Sequence, residues 1–444
     1  MKSAHISTPA MLAIAALALV QPAWADNAGT PSEAASDPVK LKLMQGFPPP
    51  PDRLVTPANV MQFPNHRWAF HHMRELEPTA NVWRGKPGNV ATLDEDPAPV
   101  GDIQFEDSEG QQRTVSDWLK KTYTDGFLVL HDGDIAFEYY AAGMQAHQPH
   151  ILFSVTKSMT GLLAADLVAR GKLDPSAPVT QYVPELKDSA WGDATVQQTL
   201  DMTTAIRFNE DYADTSSDIY RYAFAGGMIP APKGYAGPKS MYAYLPTLEK
   251  DGEHGKRFTY RTVNSEVLGW IVQRVTGQSF NELLSKRIWQ RLGAEFDAYA
   301  WVDSQGTALM GAGMNVTLRD LGRFGDMIRQ KGRYNGQTLF APEVIEDIAA
   351  GADRDKYAKS GHTGRVGYSY HDQWWVTHND DKAIEAWGIY GQIIHINPTA
   401  GLTIVKLSSR KAAGNEPYAA TDIRAFKAIA DALTEHEAAE PQSQ

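Results

Sequence analysis

The stretch Ile151-Leu152-Phe153-Ser154-Val155-Thr156-Lys157-Ser158-Met159-Thr160-Gly161-Leu162-Leu163 constrains this chain more than any other. Val155, Met159, Leu162, Leu163 and Leu167 fall close to the i, i+3, i+4, i+7 spacing of a buried helix. Positions i and i+3 share a helix face, so Ser154 and Lys157 point the same way, an amine about one turn from a hydroxyl. At a helix start the backbone N–H groups are free and the dipole is positive. A nucleophile that builds up oxyanion charge is well placed there. The spacing alone carries little, because Ser408-Ser409-Arg410-Lys411 repeats it in a basic, loop-like stretch.

Other features narrow the function class. The net charge of −11 and pI near 5.6 argue against nucleic-acid binding, and no basic run offers electrostatic attachment to a membrane. The N-terminus reads as a secretory signal (residues 1–25). Lys2 is the positive region, Met11–Val20 the apolar core, and Ala23-Trp24-Ala25 the cleavage site, with cleavage after Ala25. The expected location is the periplasm or outside the cell, with no membrane attachment after cleavage. Cysteine is absent, so stability must come from the core and any nucleophile must be Ser, Thr, Lys or a carboxylate.

Residues 26–60, rich in Ala, Pro, Asp and Ser, read as a flexible or polyproline surface leader within an N-terminal extension reaching about residue 110. His66, His71 and His72 follow no metal-ligand spacing and read as packing and hydrogen-bonding residues. From about 111 to 440 the pattern is that of one catalytic unit. A helix leads to a hairpin, Gly126–His131 and Ile135–Tyr140, joined by Asp132-Gly133. Helical patterns with Gly/Pro loops fill about 178–290, the expected helical subdomain. A core-facing helix covers 318–330. Runs at 370–377, 392–396 and 402–407 read as strands, and 419–436 as a closing amphipathic helix. This order predicts an α+β fold: an antiparallel sheet flanked by helices, with a mostly helical insertion.

Two later stretches bear on Ser154. In Phe258-Thr259-Tyr260-Arg261-Thr262-Val263-Asn264, a tyrosine precedes a helix with the apolar face Val267, Leu268, Ile271, Val272 and Val275. Beside an ammonium a tyrosine is drawn toward phenolate, and a tyrosinate near Lys157 takes up the Ser154 proton. In Ala386-Trp387-Gly388-Ile389-Tyr390-Gly391-Gln392, glycines at a strand start admit close backbone approach, so the Ile389 N–H is placed to join that of Ser154 in holding an oxyanion. Read singly, these are a packed tyrosine and a glycine turn.

Taken together and in this order, the three stretches resemble the serine β-lactamase and penicillin-binding-protein superfamily, with its Ser-x-x-Lys, Tyr-x-Asn or Ser-x-Asn, and Lys-Thr-Gly signatures. Within it the chain looks most like the esterase and 6-aminohexanoate-dimer hydrolase branch. The residues carrying that likeness include Arg67–Leu76, Phe153–Ser158, Phe208–Asp214, Tyr260 with Leu268-Gly269-Trp270, Gln373–Val376 and Gly388–Gln392. The resemblance implies Ser154 as acylated nucleophile, Lys157 as activating amine, Tyr260 as proton carrier, and the Ser154 and Ile389 N–H groups as oxyanion hole. It places Tyr212, Thr262, Asn264, Trp387 and Gly388 against the substrate. It implies no metal or organic cofactor, a small-molecule amide or ester as substrate, and a monomer or homodimer.

Two departures matter. Thr262 stands where Asn is common in the second motif, with Asn264 two residues on. Ala386-Trp387-Gly388 replaces Lys-Thr-Gly and lacks the cation that grips a carboxylate. Lys359-Ser360-Gly361 and His362-Thr363-Gly364 mimic that motif, but the strand-like Gln373–Val376 should precede it, not follow it. These features favour an aminohexanoate-type amide or a short ester over D-amino-acid peptides and β-lactams. A fold-retaining binding or sensing domain without turnover is the alternative of another class.

Overall fold

The computed structural model describes residues 32–439; the expected export signal lies outside them. After strand β1 (Thr79–Val82), helix α1 (Val115–Lys121) leads into the hairpin β2 (Thr124–His131) and β3 (Asp134–Tyr140). Asp132 and Gly133 both take positive φ, 48° and 104°, as a type I′ turn requires. Strand β4 (His150–Ile151) runs into α2 (Val155–Ala169), the predicted Ser154 helix. Short helices, 3₁₀ turns and loops follow, then the longer helix α3 (Val263–Thr276). Strands β5 (Ala298–Trp301) and β6 (Met314–Val316) precede α4 (Leu318–Arg329). The chain closes with β7 (Ser369–His371), β8 (Trp374–Val376), β9 (Ile384–Gly388), β10 (Gln392–Asn397), β11 (Leu402–Ser408) and α5 (Glu416–Ala439).

Seven strands form one antiparallel sheet in the order β7-β8-β9-β10-β11-β2-β3. The hairpin of the chain's first third therefore meets its C-terminal strands at the β11–β2 pair, where Ile404 lies opposite Val129. Side chains alternate across this sheet with a period of two. Phe127, Val129, Leu402 and Ile404 join Trp118 and Phe426 in one core layer, while Leu128, Leu130, Val405 and Leu407 join Leu321 and Phe324 in the other. Helices α1 and α5 thus cover one face and α4 the other, a helix–sheet–helix sandwich. The four-stranded sheet β1-β5-β6-β4 was not anticipated. Its strands are only two to four residues long, and three distant parts of the chain supply them, so no local pattern announces it. Among the described residues no helix is long and apolar enough to cross a membrane.

Two expectations need correction. The run 370–377 is not one strand but a hairpin, β7 and β8, turning at Asp372 (φ 46°) and Gln373 (φ 69°). The leader is not a loose surface segment in its described part. Leu43, Val55 and Val60 are buried in the main core. The fully buried Arg67 donates to the Glu33 carbonyl (2.9 Å) and Ser36 Oγ (3.0 Å), and pairs with Asp125 at 3.3 Å. Composition suggested disorder, yet the leader's few apolar residues and one buried guanidinium anchor it.

Candidate active site

Helix α2 is buried on nearly every side. Ser154 sits at its N-cap, where a serine usually caps the free N–H groups, but here its side chain makes no cap. Instead Lys157 Nζ lies 2.8 Å from Ser154 Oγ and donates to the Gly311 carbonyl at 2.7 Å. The preceding residue, Phe153, is held at φ 44°, an unfavourable conformation for a bulky side chain. Such strain persists only where the surroundings over-determine it. Phe70 and Tyr390 pack on the Phe153 ring at 5.1 and 5.6 Å between centroids.

Tyr260 reaches the same point from the loop before α3. Its hydroxyl interacts with the Ser154 side chain, and Lys157 Nζ lies 5.3 Å from its ring centroid. The phenol, about a hundred residues further along the chain, therefore meets the hydroxyl and the amine at one buried site. Burial lowers the Lys157 pKa to about 8, against the opposing pull of Glu210 and Glu266. Burial also pushes the Tyr260 phenol well above its ordinary value. Glu210 adds to this, and the Ser154 hydroxyl and Arg365 only partly offset it. The expected phenolate is thus corrected: the phenol keeps its proton at neutral pH, and the amine titrates near neutrality.

The turn after β9 lies against the nucleophile. A Cβ on Gly388 would stand 2.3 Å from the Leu152 carbonyl oxygen, so only glycine lets the strand come this close. Ile389 lies between Gly388, which touches Leu152, and Tyr390, which packs on Phe153. The turn that carries Ile389 therefore packs against Leu152 and Phe153, the two residues before Ser154. Asn415 Nδ2 donates to the Gly388 carbonyl at 2.7 Å, and the Tyr390 N–H donates to Ala413, fixing the turn from outside.

The remaining predicted residues are dispersed. Tyr212 OH donates to Glu210 Oε1 (2.7 Å), and Thr262 donates to the same carboxylate through its N–H (2.7 Å) and hydroxyl (2.5 Å). These three form a rim beside Tyr260. Asn264 is not on that rim. It is fully buried, and its Oδ1 accepts from Trp191 Nε1 (3.0 Å) and Thr204 Oγ1 (2.9 Å), tying α3 to the helical insertion. Trp387 donates to Glu385 (2.8 Å) and carries the Arg365 guanidinium 4.3 Å above its ring centroid. The same guanidinium lies 4.5 Å over Trp375, which stacks on Tyr260 at 5.7 Å. The Lys359–Gly364 stretch is accordingly not the third motif, yet it packs beside it: His362 lies 5.4 Å from Trp375.

Three participants escaped the sequence reading: Glu210, Glu266 and Arg365. Glu266 is completely buried and accepts from the Met310 and Gly311 N–H groups (both 2.9 Å) and from Tyr222 OH (2.7 Å). It holds the peptide whose carbonyl takes the Lys157 hydrogen bond. Glu210 stands two residues before the singled-out Tyr212, and a charged residue on α3's apolar side was the available signal for Glu266.

A family model described as Beta-lactamase matches residues 119–428. The chain belongs to the β-lactamase family. It is 38% identical over 347 residues to 6-aminohexanoate-dimer hydrolase of Paenarthrobacter ureafaciens, covering 78% of this chain and 86% of that protein. A Bacillus anthracis structure described as a candidate 6-aminohexanoate-dimer hydrolase superposes with a TM-score of 0.79 at 29% identity, covering 89% of this chain and 100% of that one. A D-stereospecific amidohydrolase from Streptomyces shares the fold, with a TM-score of 0.51 at 16% identity, covering 69% of this chain and 94% of that one. The protein is accordingly an amide- or ester-hydrolysing member of this β-lactamase-like family.

Proposed function

We propose that the protein is an exported serine hydrolase that cleaves a carboxylic amide or ester through an acyl-enzyme on Ser154. The observation that carries the reading is the convergence of Ser154 Oγ, Lys157 Nζ and the Tyr260 side chain at one buried site. The neutral Lys157 amine takes the Ser154 proton as Oγ attacks the carbonyl carbon. The Ser154 and Ile389 N–H groups receive the oxyanion. Tyr260 gives its proton to the leaving amine or alcohol and is reprotonated from Lys157, so the serine proton ends on the leaving group. In the second half the neutral Lys157 amine takes a proton from water, which attacks the ester carbonyl; the Ser154 Oγ–carbonyl bond breaks, Oγ takes that proton back from Lys157, and the acid is released.

The identity to 6-aminohexanoate-dimer hydrolase over most of both chains supports a linear amide of the aminohexanoate type, with short esters as the second substrate class. The missing cation of the third motif counts against β-lactams and D-peptides. Purified protein tested on linear amides, short p-nitrophenyl esters, D-peptides and a chromogenic cephalosporin is expected to prefer the first two, with no turnover by Ser154→Ala. Equal turnover by that variant overturns the reading. Export through the Lys2 to Ala25 signal predicts a mature chain beginning at Asp26, checked by N-terminal sequencing of the exported protein.

A further inference from the structure

Two bulky residues beside the nucleophile hold the left-handed backbone that glycine normally takes. Phe153, immediately before Ser154, has φ 44°, and Tyr390, immediately after Ile389, has φ 62°. Each therefore adjoins one of the two residues whose N–H groups the Ser154 reading gives to the oxyanion. The Phe153–Ser154 peptide carries the first of those N–H groups, and Tyr390 joins directly to the residue that carries the second. A return of either residue to ordinary φ would turn or displace its donor, so the hole depends on whatever sustains this strain.

The support comes from the N-terminal extension. The Phe153 and Tyr390 rings meet at 5.6 Å between centroids, and Phe70 packs edge-on against both, at 5.1 Å and 76° to the first and 5.1 Å and 68° to the second. His66, one helical turn earlier, stacks on Phe70 at 4.8 Å and 12° and lies 5.0 Å from Tyr390. Edge-to-face and stacked rings at these separations attract in preferred orientations, so the cluster resists rotation of any one ring. Phe70 is fully buried, and its carbonyl accepts the Ile151 N–H at 2.8 Å, which ties it to the strand leading into Ser154. His66 is fixed between two carbonyls, its Nδ1 3.4 Å from that of Met61 and its Nε2 3.1 Å from that of Ser409. On the other side, the Tyr390 carbonyl accepts the Arg410 N–H at 3.2 Å.

We propose that His66 and Phe70 of the N-terminal extension are positioning residues for the oxyanion hole, holding Phe153 and Tyr390, and through them the Ser154 and Ile389 N–H groups, in the strained arrangement that receives the oxyanion. The inference rests on the Ser154 acyl-enzyme reading. Neither side chain touches the reacting atoms; both act through the two strained residues. Oxyanion donors stabilise the transition state only when they are aimed before charge develops. The extension therefore acts on kcat more than on KM, and its effect is specific to the oxygen that becomes charged.

The test compares a short p-nitrophenyl ester with its thionoester, in which sulfur replaces the carbonyl oxygen. Sulfur accepts N–H hydrogen bonds more weakly, so a well-aimed hole favours the ester, and the ester-to-thionoester ratio of kcat/KM reads its alignment. Phe70→Leu keeps an apolar side chain but removes the ring. It should lower kcat on the ester about tenfold, a part of the roughly 10²–10³-fold that losing a whole oxyanion donor costs, with KM little changed and the ratio reduced. Tyr390→Leu should reduce the ratio as well, and Tyr390→Phe, which keeps the ring, should reduce it less. Phe426→Leu, a buried substitution in the other core layer, controls for general loosening and should leave the ratio where it is. If Phe70→Leu does not fold, as read by circular dichroism, Tyr390→Leu decides alone. A wild-type ratio near one, an unchanged ratio in the folded Phe70→Leu or Tyr390→Leu variant, or an equal fall in Phe426→Leu overturns the inference and leaves the Ser154 reading intact. Ester hydrolysis that persists in Ser154→Ala overturns the Ser154 reading instead.

Discussion

At the scale of single residues, the division of labour follows from burial. Lys157 is buried, and the pull of Glu210 and Glu266 only partly offsets that burial, so its amine loses protons near pH 8. The sign is fixed by chemistry: the ammonium cannot accept the Ser154 proton, so the neutral amine is the active form. With a neutral ester, kcat/KM should rise about tenfold per pH unit below about 8 and level off above it. A flat profile from pH 6 to 9 would remove Lys157 from the base role. Tyr260 holds its proton, so Tyr260→Phe removes the donor to the leaving group and should cost about a hundredfold or more. The loss should be larger for amides than for activated esters, whose leaving groups need no proton. Ser154, Lys157 and Tyr260 were legible in the sequence because spacing and residue type record them. The direction of the Tyr260 shift was not legible, because it depends on Glu210 and on burial, which only the fold supplies.

At the scale of elements, the β7–β8 turn clamps the nucleophile helix. Ser158 Oγ donates to the Gln373 carbonyl (2.8 Å), Ser265 Oγ donates to Gln373 Oε1 (2.5 Å), and Gln373 Nε2 donates to the Leu200 carbonyl (2.7 Å). One glutamine thereby ties the turn to α2, α3 and the helical insertion. A Cβ on Gly161 would stand 2.0 Å from the Asp372 carbonyl oxygen. Gly161→Ala should therefore destabilise by about 1–3 kcal/mol or more, as overpacking against backbone does, and lower activity with it. A urea titration reads the first effect; an unchanged midpoint would show that the turn is free to move. Beside this turn, His371 donates to Asp201 (2.8 Å). Burial lowers its pKa, but Asp201, Asp372 and Asp347 together raise it to about 10. A raised pKa gives stability that is full below the unfolded value near 6.5 and lost as pH rises through about 10. His371→Gln should therefore be less stable than wild type at pH 6 and lose less stability between pH 7 and 10, read by thermal melts. The hairpin Thr124–Tyr140 was readable from Asp132-Gly133, whereas the β7–β8 turn was not, since Asp372 is followed by Gln373 and not by the glycine that marks such a turn.

At the scale of the whole molecule, the sheet is closed by the hairpin of the chain's first third and its C-terminal strands, and the site lies where α2, the Tyr260 loop and the β9 turn meet. The large sheet and its covering helices could be anticipated, because period-two and period-3.6 runs mark them locally. The small sheet and the packed leader could not, because their partners are distant and their local sequence is short or proline-rich. The leader supplies a direct test of this difference. A chain beginning at residue 61 loses three buried apolar side chains, Leu43, Val55 and Val60, and the Glu33 and Ser36 partners of Arg67. Its unfolding free energy should fall by on the order of 5 kcal/mol. An unchanged denaturation midpoint would restore the leader to a loose tail.

The most direct measurement of the central claim is peptide mass spectrometry after reaction with a fluorophosphonate, which phosphonylates an activated serine. A single adduct on Ser154, abolished by pre-incubation with a slow ester substrate and slowed by Lys157→Ala, is the predicted result. An adduct on any other residue, or none on a folded protein, would contradict it.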